Sequence, residues 1–338
     1  MNDSKEMVRK IRCKVIFSIL LMLSAFARCK PEKVRPETVV IVLAAHTGVQ
    51  GIFHREIIPT FQDYWLRKTE QKVKFRESYH GSVVQVQAVL AGLEADIVIL
   101  ASEDHLKVLE KVGLITHSWR AHPHRGIIAR SVIAFGLREG NPKDLFTWEE
   151  LAQQGVEIIH ADPNTSGVAL WAIGSIYGAG LKLSEVTPGQ KDQLQARQFF
   201  NEVEKRVRIM DQTTQAASHT FNRGQGDVLI TAEHEIKLQQ QSGKPMEMII
   251  PTPTLLIEYP VALIDKHVTD HDNREVVEAF LKFLWSREIQ DIFAEYGFRP
   301  VDNWALEKHI ASFTKPRELF DLQYAGGWEE IRKLAGGP

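Results

Sequence analysis

Apolar and polar positions in this chain come in alternating blocks, and the blocks repeat. Thr38–Ala45 (TVVIVLAA) is apolar along its length, the pattern of a strand covered on both faces, as in a parallel sheet. The polar loop His46–Gly51 follows, and then Ile52–Tyr64 carries Ile52, Phe53, Ile57, Ile58 and Phe61 at helical spacing. Val73–Glu77 alternates as a strand, runs into Ser78-Tyr79-His80-Gly81-Ser82, and leads to a helix over Val83–Gly92. Ala95–Ala101 (ADIVILA) is another buried strand, followed by Ser102-Glu103-Asp104 and a helix from His105 to Val112. Strand, polar loop and helix in succession predict an α/β architecture with right-handed crossovers. In such sheets ligands sit beyond the carboxyl ends of the strands.

The second half repeats the device. Arg130–Leu137 is an apolar strand, and Trp148–Leu151 starts a short helix. Val156–Ala161 is a strand that feeds Asp162–Trp171 (DPNTSGVALW), a loop and the first turn of a buried helix. A polar helix lies within Lys191–Glu204, a strand over Val207–Met210 and a polar loop over Asp211–Ser218. Val228–Thr231, Glu247–Pro251 and Leu255–Ile264 read as strands, and Glu275–Tyr296 reads as one long amphipathic helix stopped by Gly297. The late return of strand pattern predicts two lobes joined by crossing strands: residues 37–125 plus 260–338 in lobe 1, and 126–259 in lobe 2.

The segment before the first strand has a different composition. Lys5, Arg9, Lys10, Arg12 and Lys14 precede the apolar run Val15–Ala27, which ends on Ala25-Phe26-Ala27. A basic region, a short apolar run and an A-x-A site predict a secretory signal peptide over residues 1–27, a linker over 28–36, and a periplasmic body. The run is short for a membrane anchor, the alternative. The two cysteines of the 338-residue chain are Cys13 and Cys29, so the body holds no disulfide framework. Cys29 is also placed to be an acylated lipoprotein residue, although Arg28 before it is not the small residue such signals carry. A net charge of −2 with 25% charged residues argues against nucleic acid as a partner, and a monomer is expected.

Candidate chemistry concentrates in the loops. Pro163-Asn164-Thr165-Ser166-Gly167 places a hydroxyl and a glycine where strand turns into helix, and a helix starting there aims unpaired N–H groups and a positive dipole end beyond the strand. That geometry suits an anion, although the same cap also serves purely structural ends. No glycine-rich phosphate loop, nucleophile elbow or HExxH motif is present, so the sequence offers no constellation for catalysis and implies no cofactor.

Taken together, Gly81-Ser82 within SYHGSVVQ, GLEADIVILA (92–101), REGNPKDLFTWEEL (138–151), DPNTSGVALW (162–171), RGQGDVLI (223–230) and GFRP (297–300) resemble the periplasmic sulfate-binding proteins of bacterial ABC importers. The resemblance implies a two-lobe periplasmic-binding-protein type II fold, each lobe a sheet flanked by helices and joined by hinge strands. It implies capture of sulfate or thiosulfate between the lobes and delivery to a membrane permease. Carried onto this chain, it implies ligand donors from Thr47, Ser82, Ser166, Gly167, Val168 and Thr214. Two departures stand out. Val168 replaces a glycine of the family pattern, and Ala232 stands where the family has a tryptophan whose indole N–H donates to the anion. The family's basic residues beside these loops are replaced by Gln50, Val84, Leu170 and Gln215. Histidines enter the same loops, at His46, His80 (beside Gly81), His219 and His234. Three readings of them stand: protonated donors making binding pH-dependent, a metal site, or solvated loop residues. A divergent binding protein or surface lipoprotein for another oxyanion or small solute is the alternative function.

Overall fold

A computed structural model describes residues 37–185, 187 and 189–336. The basic segment, the apolar run and Cys29 lie outside the described residues. The first half contains β1 (Thr38–His46), α1 (Ile58–Thr69), β2 (Lys72–His80), α2 (Ser82–Leu90), β3 (Ile97–Ile99), α3 (Glu103–Lys111) and β4 (Ile127–Arg138). Next come α4 (Trp148–Leu151), β5 (Ile158–Ala161), α5 (Gly167–Leu183), α6 (Gln193–Glu204), β6 (Val207–Asp211), α7 (Thr214–Asn222), β7 (Val228–Ala232), α8 (Glu233–Gln241) and β8 (Met246–Ile249). The chain closes with β9 (Thr254–Leu263), α9 (Asp265–Asp270), α10 (Arg274–Leu284), α11 (Arg287–Glu295), β10 (Arg299–Pro300), α12 (Asn303–Lys308), β11 (Leu319–Phe320) and α13 (Gly327–Leu334).

The main path of the sheet is β2-β1-β3-β9-β4-β7-β5-β6. Two parallel groups, β2-β1-β3 and β7-β5-β6, flank the antiparallel pair β9-β4. The long strands belong to both sides. β4 pairs with β9 over Ile127–Val132 and with β7 over Ile133–Leu137, while β9 runs on from β4 to pair its last residues, Val261–Leu263, with β3. Apolar runs long enough to reach from one group into the other therefore tie the groups together.

Burial explains the long apolar runs. Ile41, Leu43, Ala44 and Ala45 on β1 and nearly all of α5 from Gly167 to Leu181 are buried. A helix apolar on every side belongs inside a fold. Glycines in α5 make room for the chain's end, because a Cβ on Gly178 would lie 2.2 Å from the Phe320 ring. The expected long helix at 275–296 is two helices. It breaks at Trp285–Ser286, where the Ser286 hydroxyl caps α11 by accepting from the Ile289 N–H and the Trp285 indole donates to the Ile127 carbonyl. The apolar stripe continues through the break, so periodicity alone runs the two together.

Candidate functional site

Each parallel strand that carries a candidate ends in a loop and the first turn of a helix. After β2, Gly81 precedes Ser82, the first residue of α2. Ser82 is buried, and its Oγ accepts from the Ala101 N–H at 2.9 Å, which leaves the hydroxyl hydrogen free to donate. Gln85 holds this turn to the strand ends, its amide donating to the carbonyls of Ala45 and Ser78. After β5, Asp162 organises the loop: its carbonyl accepts from the N–H groups of Thr165 and Ser166, and its carboxylate from Asn164. Ser166 caps α5 through the Ala169 N–H, so Gly167 and Val168 begin the helix with N–H groups that have no partner within it. After β6, Thr213 is the cap of α7, accepting from Ala216, and Thr214 is its first residue. After β1, His46 leads into the turn Thr47–Val49.

These loops meet. A Cβ on Gly81 would lie 2.0 Å from the Thr165 carbonyl oxygen, and one on Gly167 would lie 3.0 Å from Ser82 Cβ and 3.1 Å from Ala101 Cβ. The Trp171 indole donates to the Ala101 carbonyl. Thr165 in turn donates its hydroxyl to the Gln212 carbonyl at 2.7 Å, and Gln215 donates to the Thr47 carbonyl at 2.8 Å. Thr47, Ser82, Ser166, Gly167, Val168 and Thr214 thus lie along a chain of contacts that joins the β1, β2 and β3 ends to the β5 and β6 ends. Both glycines are required by close approach, not by backbone angle. Val168, the departure from glycine, is buried and leaves its N–H position in the first turn of α5.

Electrostatics at the ring combine helix dipoles and hydroxyls with one buried carboxylate, Glu235. The Thr214 hydroxyl donates to Glu235 Oε1 at 2.8 Å, so what Thr214 still offers is its backbone N–H. Glu235 is a buried first-turn residue of α8, and a Cβ on Gly48 would lie 3.0 Å from its Oε1. Sequence reading missed Glu235, and its only local signal was a carboxylate in the first turn of a helix that follows an apolar strand.

Of the four histidines, His46 and His234 are buried neighbours against Tyr259 and the other two are exposed. His46 is buried, stacked on Tyr259 at 4.8 Å between ring centroids, with Nε2 unpartnered. Burial, helped by nearby His234, pushes its pKa down to about 3, so it is a neutral imidazole and not the protonated donor that its loop position suggested. His234 is fully buried, stacked on Phe298, with Nε2 3.6 Å from Glu235 Oε1. His80 is exposed opposite His46 in the β1–β2 register, and His219 is exposed in the last turn of α7, far from that helix's start. Among the described residues no group of three or more His, Cys, Asp or Glu side chains is placed to hold a metal ion. Ala232 is buried at the end of β7 and contributes no side-chain donor.

Two of the sequence motifs are scaffold. Lys143 of GNPK pairs with Asp227 of the GQGD run at 2.7 Å, the Asp227 carboxylate accepts from the Glu157 N–H, and Arg138 reaches the Phe221 carbonyl at 2.8 Å. Arg299 of GFRP pairs with the fully buried Glu233 at 2.6 Å, docking the start of α8 against β10.

The model for the family described as bacterial extracellular solute-binding protein matches residues 42–299. A sulfate-binding protein of Synechococcus elongatus is 37% identical over 298 residues, which are 88% of this chain and 83% of the relative. A thiosulfate-binding protein of Pseudomonas aeruginosa is 32% identical over 287 residues, covering 83% of this chain and 84% of that one. The solved structure of the sulfate-binding protein SubI from Mycobacterium tuberculosis H37Rv superposes with a TM-score of 0.78 at 28% identity, over 87% of this chain and 98% of SubI. With the two strand groups and their joining strands, these likenesses place the chain in the two-lobe type II periplasmic-binding fold. It belongs to the bacterial extracellular solute-binding protein family, among the sulfate- and thiosulfate-binding proteins.

Proposed function

We propose that the chain captures sulfate, with thiosulfate as the second ligand of the same class, in the ring formed by Thr47, Ser82, Ser166, Gly167, Val168 and Thr214, and delivers it to the permease of an ABC importer. The observation that carries this is the convergence of the α2, α5 and α7 starts on one another through the Gly81–Thr165, Ser82–Gly167 and Thr165–Gln212 contacts. A tetrahedral dianion offers acceptors on every side and no donor, so neutral N–H and O–H groups satisfy it, with three helix dipoles adding favourable potential. Thr214 takes one acceptor position of the Glu235 carboxylate beside this ring and leaves others open, so the preference for a fully deprotonated oxyanion rests on the ring's own donors. His46 at the end of β1 is buried and neutral, in keeping with a cage that draws no positive charge from histidine.

The wider reading has residues 1–27 as an export signal, 28–36 as a linker with Cys29 as a candidate lipid anchor, and the body working as a periplasmic monomer without catalysis. Lobe 1 comprises 37–125 plus 260–338 and lobe 2 comprises 126–259, with closure turning on β4 and β9. Calorimetric titration with sulfate, thiosulfate and phosphate tests the assignment. Tight sulfate binding that weakens tenfold or more in Ser82→Ala supports it, because the variant loses a donor to a charged ligand and the acceptor of the Ala101 N–H together. Heat with phosphate and none with sulfate or thiosulfate overturns it.

A further inference from the structure

We propose that Ser102 is a further ligand-binding residue of this cleft, its hydroxyl supplying the donor that Ala232 cannot. The inference rests on the oxyanion reading above and names a residue that reading does not include. Ser102 sits where β3 gives way to α3, the place where a serine ordinarily caps a helix. It does not do so here. Its backbone is extended at φ −160°, ψ 141°, and its side chain makes no cap bond, whereas Ser166 and Thr213 at the equivalent junctions accept from Ala169 and Ala216. The residue is 0% exposed and its Oγ has no partner.

Buried hydroxyls without partners are uncommon, and each needs an explanation. Among the described residues the others are Ser175 and Ser218 inside helices and Thr231 inside a strand. Ser102 differs in its neighbour. Ala101 donates its N–H to Ser82 Oγ at 2.9 Å, its Cβ would lie 3.1 Å from a Cβ on Gly167, and its carbonyl accepts from the Trp171 indole. Ser102 is therefore the next residue along from a junction that touches both sides of the ring. Strand β3 lies between β1 and β9 in the sheet, so its carboxyl end is flanked by the turn that carries Thr47. A hydroxyl held there with its hydrogen uncommitted is a neutral donor for the same dianion.

The full chain, freed of ligand, is titrated calorimetrically with sulfate and with thiosulfate as wild type, Ser82→Ala and Ser102→Ala, and the unliganded Tm of each is measured. A tenfold to hundredfold rise in the sulfate Kd of Ser102→Ala, with an unliganded Tm unchanged or raised, is the expected result, since the variant removes an unsatisfied hydroxyl from the free protein and a ligand bond from the complex. A Kd within twofold of wild type, with Ser82→Ala still crippled, overturns the role of Ser102 and leaves the oxyanion reading standing. A lowered Tm alongside weaker binding assigns Ser102 to the fold and overturns the inference as well. Wild type that binds neither anion overturns both.

Discussion

Gly81→Ala should disable closure without disturbing the fold. Gly81 has φ −58° and ψ 147°, angles that alanine adopts freely, so the substitution brings no backbone strain. The added Cβ would nevertheless sit 2.0 Å from the Thr165 oxygen and 2.8 Å from its carbonyl carbon. Non-bonded carbon and oxygen tolerate little under about 3 Å, so the β2–α2 turn and the Asp162–Gly167 loop must separate by roughly 1 Å, and both are backbone held by several hydrogen bonds. Overpacking of this kind costs about 1–3 kcal/mol. On the proposed lobe assignment the clash lies between a loop of lobe 1 and a loop of lobe 2, so the cost is expected to fall on the closed, liganded state. The sulfate Kd should rise about 5- to 150-fold, chiefly through faster release, while the unliganded Tm stays near wild type. Gly51→Ala, where a Cβ meets nothing within 4 Å, is the control. Calorimetry and stopped-flow release kinetics read the effect. A Gly81→Ala affinity within twofold of wild type would refute the argument that this contact belongs to the liganded state.

Three further outcomes follow from buried titratable groups. His46 titrates near 3 when folded, and sulfate stays a dianion across the range, so affinity should be flat from pH 5 to 8; a drift of more than threefold would show that a protonated histidine does bind the ligand. The same depressed value means that the unfolded chain takes up a proton below pH 6.5 and the folded chain does not, so stability falls as pH drops from 6.5 towards 3. At pH 5 this amounts to about 2 kcal/mol, and denaturant unfolding of His46→Gln should show a correspondingly smaller loss between pH 7.5 and 5. Arg299→Ala leaves Glu233 fully buried with Lys237 at 3.3 Å as its remaining partner, and should cost about 3 kcal/mol in the same assay; a loss below 1 kcal/mol would mean Lys237 suffices.

Much of this was legible locally. Apolar runs such as Thr38–Ala45 and Ala95–Ala101 identify buried parallel strands because a strand covered on both faces has no polar face to show. Hydroxyl-glycine junctions such as Ser166-Gly167 identify helix starts because capping is a contact between residues three apart. The motifs carried the family, and with it the fold. Where the sequence misled, the missing information was not local. His46 stood open as a protonated donor, a metal ligand or a solvated loop residue and is buried and neutral, because exposure depends on what packs across from a residue. Glu275–Tyr296 looked continuous because its apolar stripe persists through a break that Ser286 makes. GNPK and GFRP were read as signatures and prove to be clamps whose partners, Asp227 and Glu233, lie far along the chain.

The sequence by itself determined most of the elements and the loops that hold the candidate donors, since periodicity, capping and motif spacing all act over a few residues. Only the tertiary structure decided which loops touch, that Gly81 must be glycine because of Thr165, that Thr214 spends its hydroxyl on Glu235, and that Ser102 is left with a hydroxyl to offer. Those are contacts between segments distant in sequence, and their geometry is set by how β4 and β9 bring the two strand groups together.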